Sequence, residues 1–161
     1  MIPAVLLDPR AHAALTHIPS HAHTSTVLTD AERTALQDAL RDEDAVALAY
    51  LFGSHAEGRA DAASDIDVAI VTTDDDNGLR RAVDLTKTLE AAIDRPVDVT
   101  LIAVRGTDPR LLGQVLRHGT CLFARDETTR VEFETRARSK YLDMKPHIEE
   151  YDRRVREALT R

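Results

Sequence analysis

Two aspartates at the head of an apolar strand, with a single isoleucine between them, constrain this chain more than anything else in it. Leu51 to Val71 reads LFGSHAEGRADAASDIDVAIV: an apolar strand, a Gly53-Ser54 turn, a polar loop, then Ser64-Asp65-Ile66-Asp67 running into a second apolar strand. Alternation along a strand sends Asp65 and Asp67 to one face and Ile66, Val68 and Ile70 to the other. Neighbouring carboxylates repel, and burying them is costly unless a cation neutralises them. An all-oxygen set suits Mg²⁺, which takes one or two carboxylates and completes its shell with water and substrate phosphates. The Gly53-Ser54 turn adds backbone that can adopt unusual conformations and bring its N–H groups close to a phosphate. A Gly-Ser alone is a turn, and an Asp-x-Asp alone is often loop chemistry. Joined by ten residues and framed by two strands, they specify a phosphate grip beside a cation site.

A third carboxylate belongs with these two. Val97-Asp98-Val99-Thr100-Leu101-Ile102 alternates, placing Val97, Val99 and Leu101 on one face and Asp98 and Thr100 on the other. If this strand lies beside that of Asp65 and Asp67, the three carboxylates converge; the alternative is an edge strand showing its polar face to water. A helix starting near Ser54 would aim backbone N–H groups at an anion. Arg59 in the loop is either a phosphate contact or a solvated surface charge.

The rest of the chain supplies a frame. Thr29-Asp30-Ala31-Glu32 is a capping box, starting a helix that should turn Ala31, Leu36 and Leu40 inward. Ala45–Phe52 is an apolar strand. Thr72 to Gly78 is a hydrophilic turn whose Asp74-Asp75-Asp76 run is a loop and helix cap, with no apolar framing to make it a metal site. Leu79–Ile93 has Leu79, Val83, Leu85, Leu89 and Ile93 near helical spacing, ended by Arg95-Pro96. Asp108-Pro109 opens a further helix, His118-Gly119 closes it, and Thr120–Ala124 is a short strand. From Asp126 the chain is helical and highly charged. Its apolar stripe runs through Val131, Phe133, Tyr141, Leu142, Met144, Ile148, Tyr151, Val155 and Leu159, with Pro146 as an expected break or kink. Residues 1–28 form an N-terminal extension, expected to be a flexible arm in which His17, His21 and His23 lack the scaffold of a metal site. Residues 29–125 form the core, and 126–161 a helical segment that caps it and presents a partner-binding surface.

The fold class that follows is α/β (α+β by some conventions): a small mixed sheet, with the carboxylates on one face and helices on the other. At 161 residues the chain is one domain's worth. A net charge of −7 argues against broad phosphate-backbone binding, and 4% aromatics without Trp leave no base-stacking platform, so nucleic acid is not an expected partner. Cys121 is the sole cysteine, a small core hydrophobe in a chain without intramolecular disulfides. With no membrane-spanning apolar run and no charged segment ahead of an apolar core at the N-terminus, a cytoplasmic protein is expected.

Gly53-Ser54, ten residues, then Asp65-Ile66-Asp67 resembles the signature of the polymerase-β-type nucleotidyltransferase superfamily. The small size, Asp98, the Leu-rich helix ending in Gly119 and a tail of the form R-x-E-F-E…R-x-x-Y-x-D extend the resemblance over about residues 29 to 151. They point to its minimal nucleotidyltransferase (MNT) branch, whose members are often encoded beside a HEPN-domain protein as antitoxin and toxin. The resemblance implies a polymerase-β-like fold and metal-assisted nucleotidyl transfer. Asp65, Asp67 and Asp98 would be catalytic and would hold Mg²⁺ in a two-metal site, while Gly53, Ser54, Arg59 and Ser64 would bind the nucleotide. It further implies a Mg-dependent protein adenylyltransferase that moves AMP from ATP to a tyrosine hydroxyl of a cognate HEPN ribonuclease toxin, in a hetero-oligomer. The alternatives are a silent antitoxin acting by binding alone, and transfer to a small-molecule acceptor.

Overall fold

Thr29 starts the first helix by the reciprocal cap its sequence predicts. Glu32 N donates to the Thr29 hydroxyl at 3.2 Å, and Thr29 N donates to Glu32 Oε2 at 2.8 Å, an arrangement worth about 1 kcal/mol. In this computed structural model, which describes residues 28–61, 64–74 and 78–160, helix α1 runs Asp30–Asp42. Leu36 and Leu40 are buried, but Ala31 is exposed. At 100° per residue it sits about 140° around the helix from Leu36. The expected extension of residues 1–28, its three histidines included, lies outside the described residues except for Leu28, which is buried against the core.

Strand β1 (Val46–Phe52) is followed by a single helical turn, α2 (Gly53–Ala56), then β2 (Ile66–Thr72), α3 (Leu79–Ile93), β3 (Val97–Leu101), α4 (Pro109–His118), β4 (Thr120–Ala124) and α5 (Glu127–Leu159). The strands form one mixed sheet in the order β3-β2-β1-β4. β1 is antiparallel to both β2 and β4, and β2 and β3 are parallel, joined through α3 as a parallel pair requires.

Helices cover both faces, where the sequence suggested one. On the first, Leu36 and Leu40 of α1 and Leu85 and Leu89 of α3 meet Leu51, Ile66, Val68, Ile70, Val97 and Val99. On the second, Leu112 and Val115 of α4 and Phe133 and Ala137 of α5 meet Leu48, Tyr50, Phe52 and Ala69. The all-apolar VALAYLF of β1, buried at every position, is the counterpart of this double cover: a strand with one wet face would alternate. On the second face α4 and α5 pack chiefly over β1 and β4, so the half formed by β2 and β3 is the less covered.

Two helix expectations change in detail. In α3, Leu85, Leu89 and the partly buried Ile93 face the core, whereas Leu79 and Val83 are exposed. Val83 lies about 200° around the helix from Leu85. α5 passes through Pro146 without a break. Proline removes one N–H and leaves a carbonyl one turn back without its partner, which is tolerable where water reaches it, and Pro146 is exposed.

The α4–α5 contact depends on a missing side chain. Gly113 is buried, and a Cβ there would sit 2.5 Å from Tyr141 Cδ2 and Cε2. Gly113→Ala is therefore expected to cost about 1–3 kcal/mol by overpacking, read in calorimetry as a melting midpoint lower by several degrees. A further tie of α5 is a part-buried hydrogen bond from Tyr50 Oη to Glu134 Oε1 at 3.0 Å. Burial, then the Glu134 charge, pushes the Tyr50 phenol above its ordinary range, so it stays a neutral donor.

Candidate functional site

Asp67 and Asp98 are direct partners in the parallel β2–β3 register. Their flanking residues Ile66, Val68, Val97 and Val99 point into the first core, so pleating directs both aspartates to the opposite face, over the less covered half of the sheet. Asp65, one residue before β2, is exposed, Asp98 is exposed, and Asp67 is half-buried. Asp67 is thus the deepest of the three. Its carboxyl is held above the ordinary carboxylate range by burial first, then by the charges of Asp98 and Asp65, with His55 acting in the opposite direction. The charges of Asp98 and Asp65 are close enough to oppose the ionisation of Asp67.

The Gly53-Ser54 turn meets this cluster directly. Gly53 has φ +68°, the left-handed region that favours glycine. A Cβ on it would overlap Asp67 Oδ2 and approach Asp67 Cγ to 3.0 Å. The carboxylate of Asp67 therefore occupies the space that any other residue at 53 would fill. Ser54 follows within α2, and its carbonyl accepts from Arg59 N at 2.9 Å, closing the turn.

The other two expected nucleotide contacts are engaged locally. Arg59 Nε donates to Glu57 Oε2 at 2.9 Å, with a second contact from the same guanidinium, and its side chain is largely exposed. The Ser64 hydroxyl donates to Asp61 Oδ1 at 2.9 Å and accepts from Asp61 N at 2.9 Å, so it shapes the loop. The structure brings together Gly53, Ser54, Asp65, Asp67 and Asp98, and leaves Arg59 and the Ser64 hydroxyl on loop partners.

Nothing in the sequence separates His55 from an ordinary polar loop residue, yet it is buried at 9% exposure. Its Nε2 lies 3.2 Å from the Ser64 carbonyl oxygen, and its Nδ1 is buried without a hydrogen-bond partner among the described residues.

The donor set fits a divalent cation of the hard, oxygen-seeking kind. Among the described residues no three of His, Cys, Asp and Glu close into a ready-made metal cage. What the site offers is a few carboxylates around one opening, which suits an ion that keeps water and takes phosphate oxygens from its substrate. The mutual repulsion at Asp67 is what such an ion would relieve. No helix among the described residues is long and apolar enough to cross a membrane.

A family model described as Polymerase beta, Nucleotidyltransferase matches residues 34–128, more than half of the chain. Among solved structures, a toxin–antitoxin complex with AMP-PNP is 25% identical, covering 80% of this chain and 98% of that one at a TM-score of 0.59. An MntA–HpeT toxin–antitoxin complex is 26% identical, covering 77% and 94% at 0.55. A tri-AMPylated Shewanella oneidensis HEPN toxin in complex with MNT antitoxin shares the fold at 23% identity, covering 81% and 97% at 0.55. No curated protein matches the chain.

Proposed function

We propose, from the premise that this chain belongs to the polymerase beta nucleotidyltransferase family, that it is an antitoxin which silences a HEPN ribonuclease toxin by transferring AMP from ATP to a tyrosine hydroxyl of that toxin. The observation that carries this reading is the in-register Asp67–Asp98 pair, with Asp65, set against the Gly53 turn on the less covered half of the sheet face. The likeness to a toxin–antitoxin complex that holds an ATP analogue supports the nucleotide and the partner.

In this mechanism Gly53 and Ser54 hold the triphosphate through backbone N–H groups and the Ser54 hydroxyl. Asp65 and Asp67 would hold Mg²⁺, joined by Asp98. Bound Mg²⁺ supplies charge neutralisation at the α-phosphate and lowers the acceptor hydroxyl's pKa. The tyrosine oxygen bonds to the α-phosphorus, the bond from that phosphorus to the bridging oxygen breaks, and pyrophosphate leaves. A carboxylate oxygen of Asp98 is the group that takes the phenolic proton. Arg59 would reach a phosphate by exchanging Glu57 for it, and Ser64 would serve through the loop it shapes. Little covalent work falls to the protein; positioning and electrostatics do most of it.

Residues 126–161 are the surface we assign to the toxin. Leu142, Met144, Tyr151 and Val155 of α5 are exposed apolar side chains on a helix that otherwise carries charge. Leu142 lies about 180° around the helix from Tyr151, so these side chains leave apolar surface in water on two faces of α5, and exposed apolar surface on a charged helix marks a contact site for a partner.

Intact mass of the co-expressed toxin, after incubation with this protein, ATP and Mg²⁺, tests the reading. The expected result is a gain of whole AMP units on a toxin tyrosine, absent without the divalent ion. A Leu142→Arg/Tyr151→Arg variant is expected to lower the yield by weakening the complex. No gain with a tight complex would leave neutralisation by binding, and no gain without a complex would turn the search to small acceptors.

A further inference from the structure

The site contains one buried polar side chain that the proposed chemistry does not use. His55 sits in the turn that begins with Gly53, and its Nε2 lies 3.2 Å from the carbonyl oxygen of Ser64, nine residues on. A carbonyl can only accept, so Nε2 carries a proton in this contact, and Nδ1 is the ring atom left to account for. Nδ1 is buried with no partner among the described residues, and such a group costs about 1–3 kcal/mol. An apolar side chain of similar volume would avoid the cost and fill the same space. What it would lose is the bond to Ser64.

The bond's position gives that loss its meaning. Ser64 immediately precedes Asp65, and its backbone N donates to Asp61 O at 3.1 Å, so its carbonyl marks the junction between the loop and β2. The same histidine is near enough to Asp67 to oppose the rise in that carboxyl's pKa. One ring therefore ties the glycine turn to the backbone that delivers two of the three acids. Side chains that orient metal ligands in this way without touching the ion are worth as much as some ligands.

We infer that His55 is a positioning residue, whose Nε2–H bond to the Ser64 carbonyl fixes Asp65 relative to Asp67 and so sets the affinity of the carboxylate cluster for a divalent cation. The inference rests on the proposed reading of those carboxylates. Its test uses Mn²⁺ as the probe, followed by water-proton relaxation on the full chain without nucleotide, in wild type and in His55→Phe, His55→Gln and Asp67→Asn. Phenylalanine keeps the volume without the donor, and glutamine restores an N–H of similar reach.

The expected result is Mn²⁺ affinity weakened about tenfold or more in His55→Phe, largely recovered in His55→Gln, with melting midpoints that do not follow the affinities. Affinity at the wild-type level in His55→Phe overturns the inference. So does equal weakening in both His55 variants, or weakening that tracks a loss of thermal stability, since either makes the ring a packing element. Asp67→Asn separates this from the underlying reading. If that variant binds Mn²⁺ as wild type does, the carboxylate site itself is wrong; if it loses the ion while His55→Phe keeps it, only the role of His55 fails.

Discussion

Asp67→Asn is expected to lower AMP transfer about a thousandfold or more, roughly 4 kcal/mol of transition-state stabilisation, while the folded protein persists. Asp67 is the half-buried member of the cluster, the register partner of Asp98 and the carboxylate that Gly53 makes room for. The amide keeps the shape and removes the charge that would hold a cation, and Asp65→Asn acts in the same direction. Single-turnover transfer with saturating toxin and ATP measures the effect; a rate within tenfold of wild type would refute the site.

The same substitution carries a stability signature of opposite sign. The folded-state pKa of Asp67 is raised above its ordinary value of 3.8, by burial first and then by the neighbouring acids. A raised carboxyl pKa means the folded state binds the proton more tightly than the unfolded chain does. The resulting destabilisation is absent below the unfolded pKa and grows as pH rises, reaching its full size above the folded one. Metal-free Asp67→Asn should therefore melt above wild type near neutral pH, with the gap closing below about pH 4. Mg²⁺ should reverse the order, because only wild type holds the ion.

Gly53→Ala is the second large effect expected. The added methyl would collide with Asp67 Oδ2, in a backbone conformation at φ +68° that L side chains rarely adopt. Either the turn or the carboxylate must move, and displacement of about 1 Å at a reacting centre costs on the order of a hundredfold. Left-handed strain adds about 1–2 kcal/mol of instability. Activity and melting measured together distinguish this residue from a simple turn glycine, for which stability would fall and the rate per folded molecule would not.

The local grammar of the chain was legible in its residues. Thr29 and Glu32 encode a cap, Asp108-Pro109 a helix start, and the alternation of Val97 to Leu101 a strand with Asp98 on its own face; each depends on neighbours a few residues apart. Ala31, Leu79 and Val83 were misplaced because an apolar residue near helical spacing is compatible with more than one side, and the neighbouring elements select among them. Of the break or kink expected at Pro146, the break is not found, because its cost depends on whether water reaches the freed carbonyl. The double cover of the sheet was in principle readable from the uninterrupted apolar run of β1.

What the sequence determined by itself is the chemistry available: two aspartates on one face of a strand, a third on another, and a glycine turn ten residues ahead of the first, because alternation and backbone permissiveness are properties of short segments. Only the tertiary structure decided that Asp67 and Asp98 are register partners, that Asp67 fills the space beside Gly53, and that His55 is buried against the Ser64 carbonyl. Those facts rest on which strand lies beside which and on what the helices leave uncovered. They are set by the burial of Leu36, Leu40, Leu85, Leu89, Leu112 and Val115 against the two sheet faces, contacts between residues far apart in the chain that no local pattern encodes.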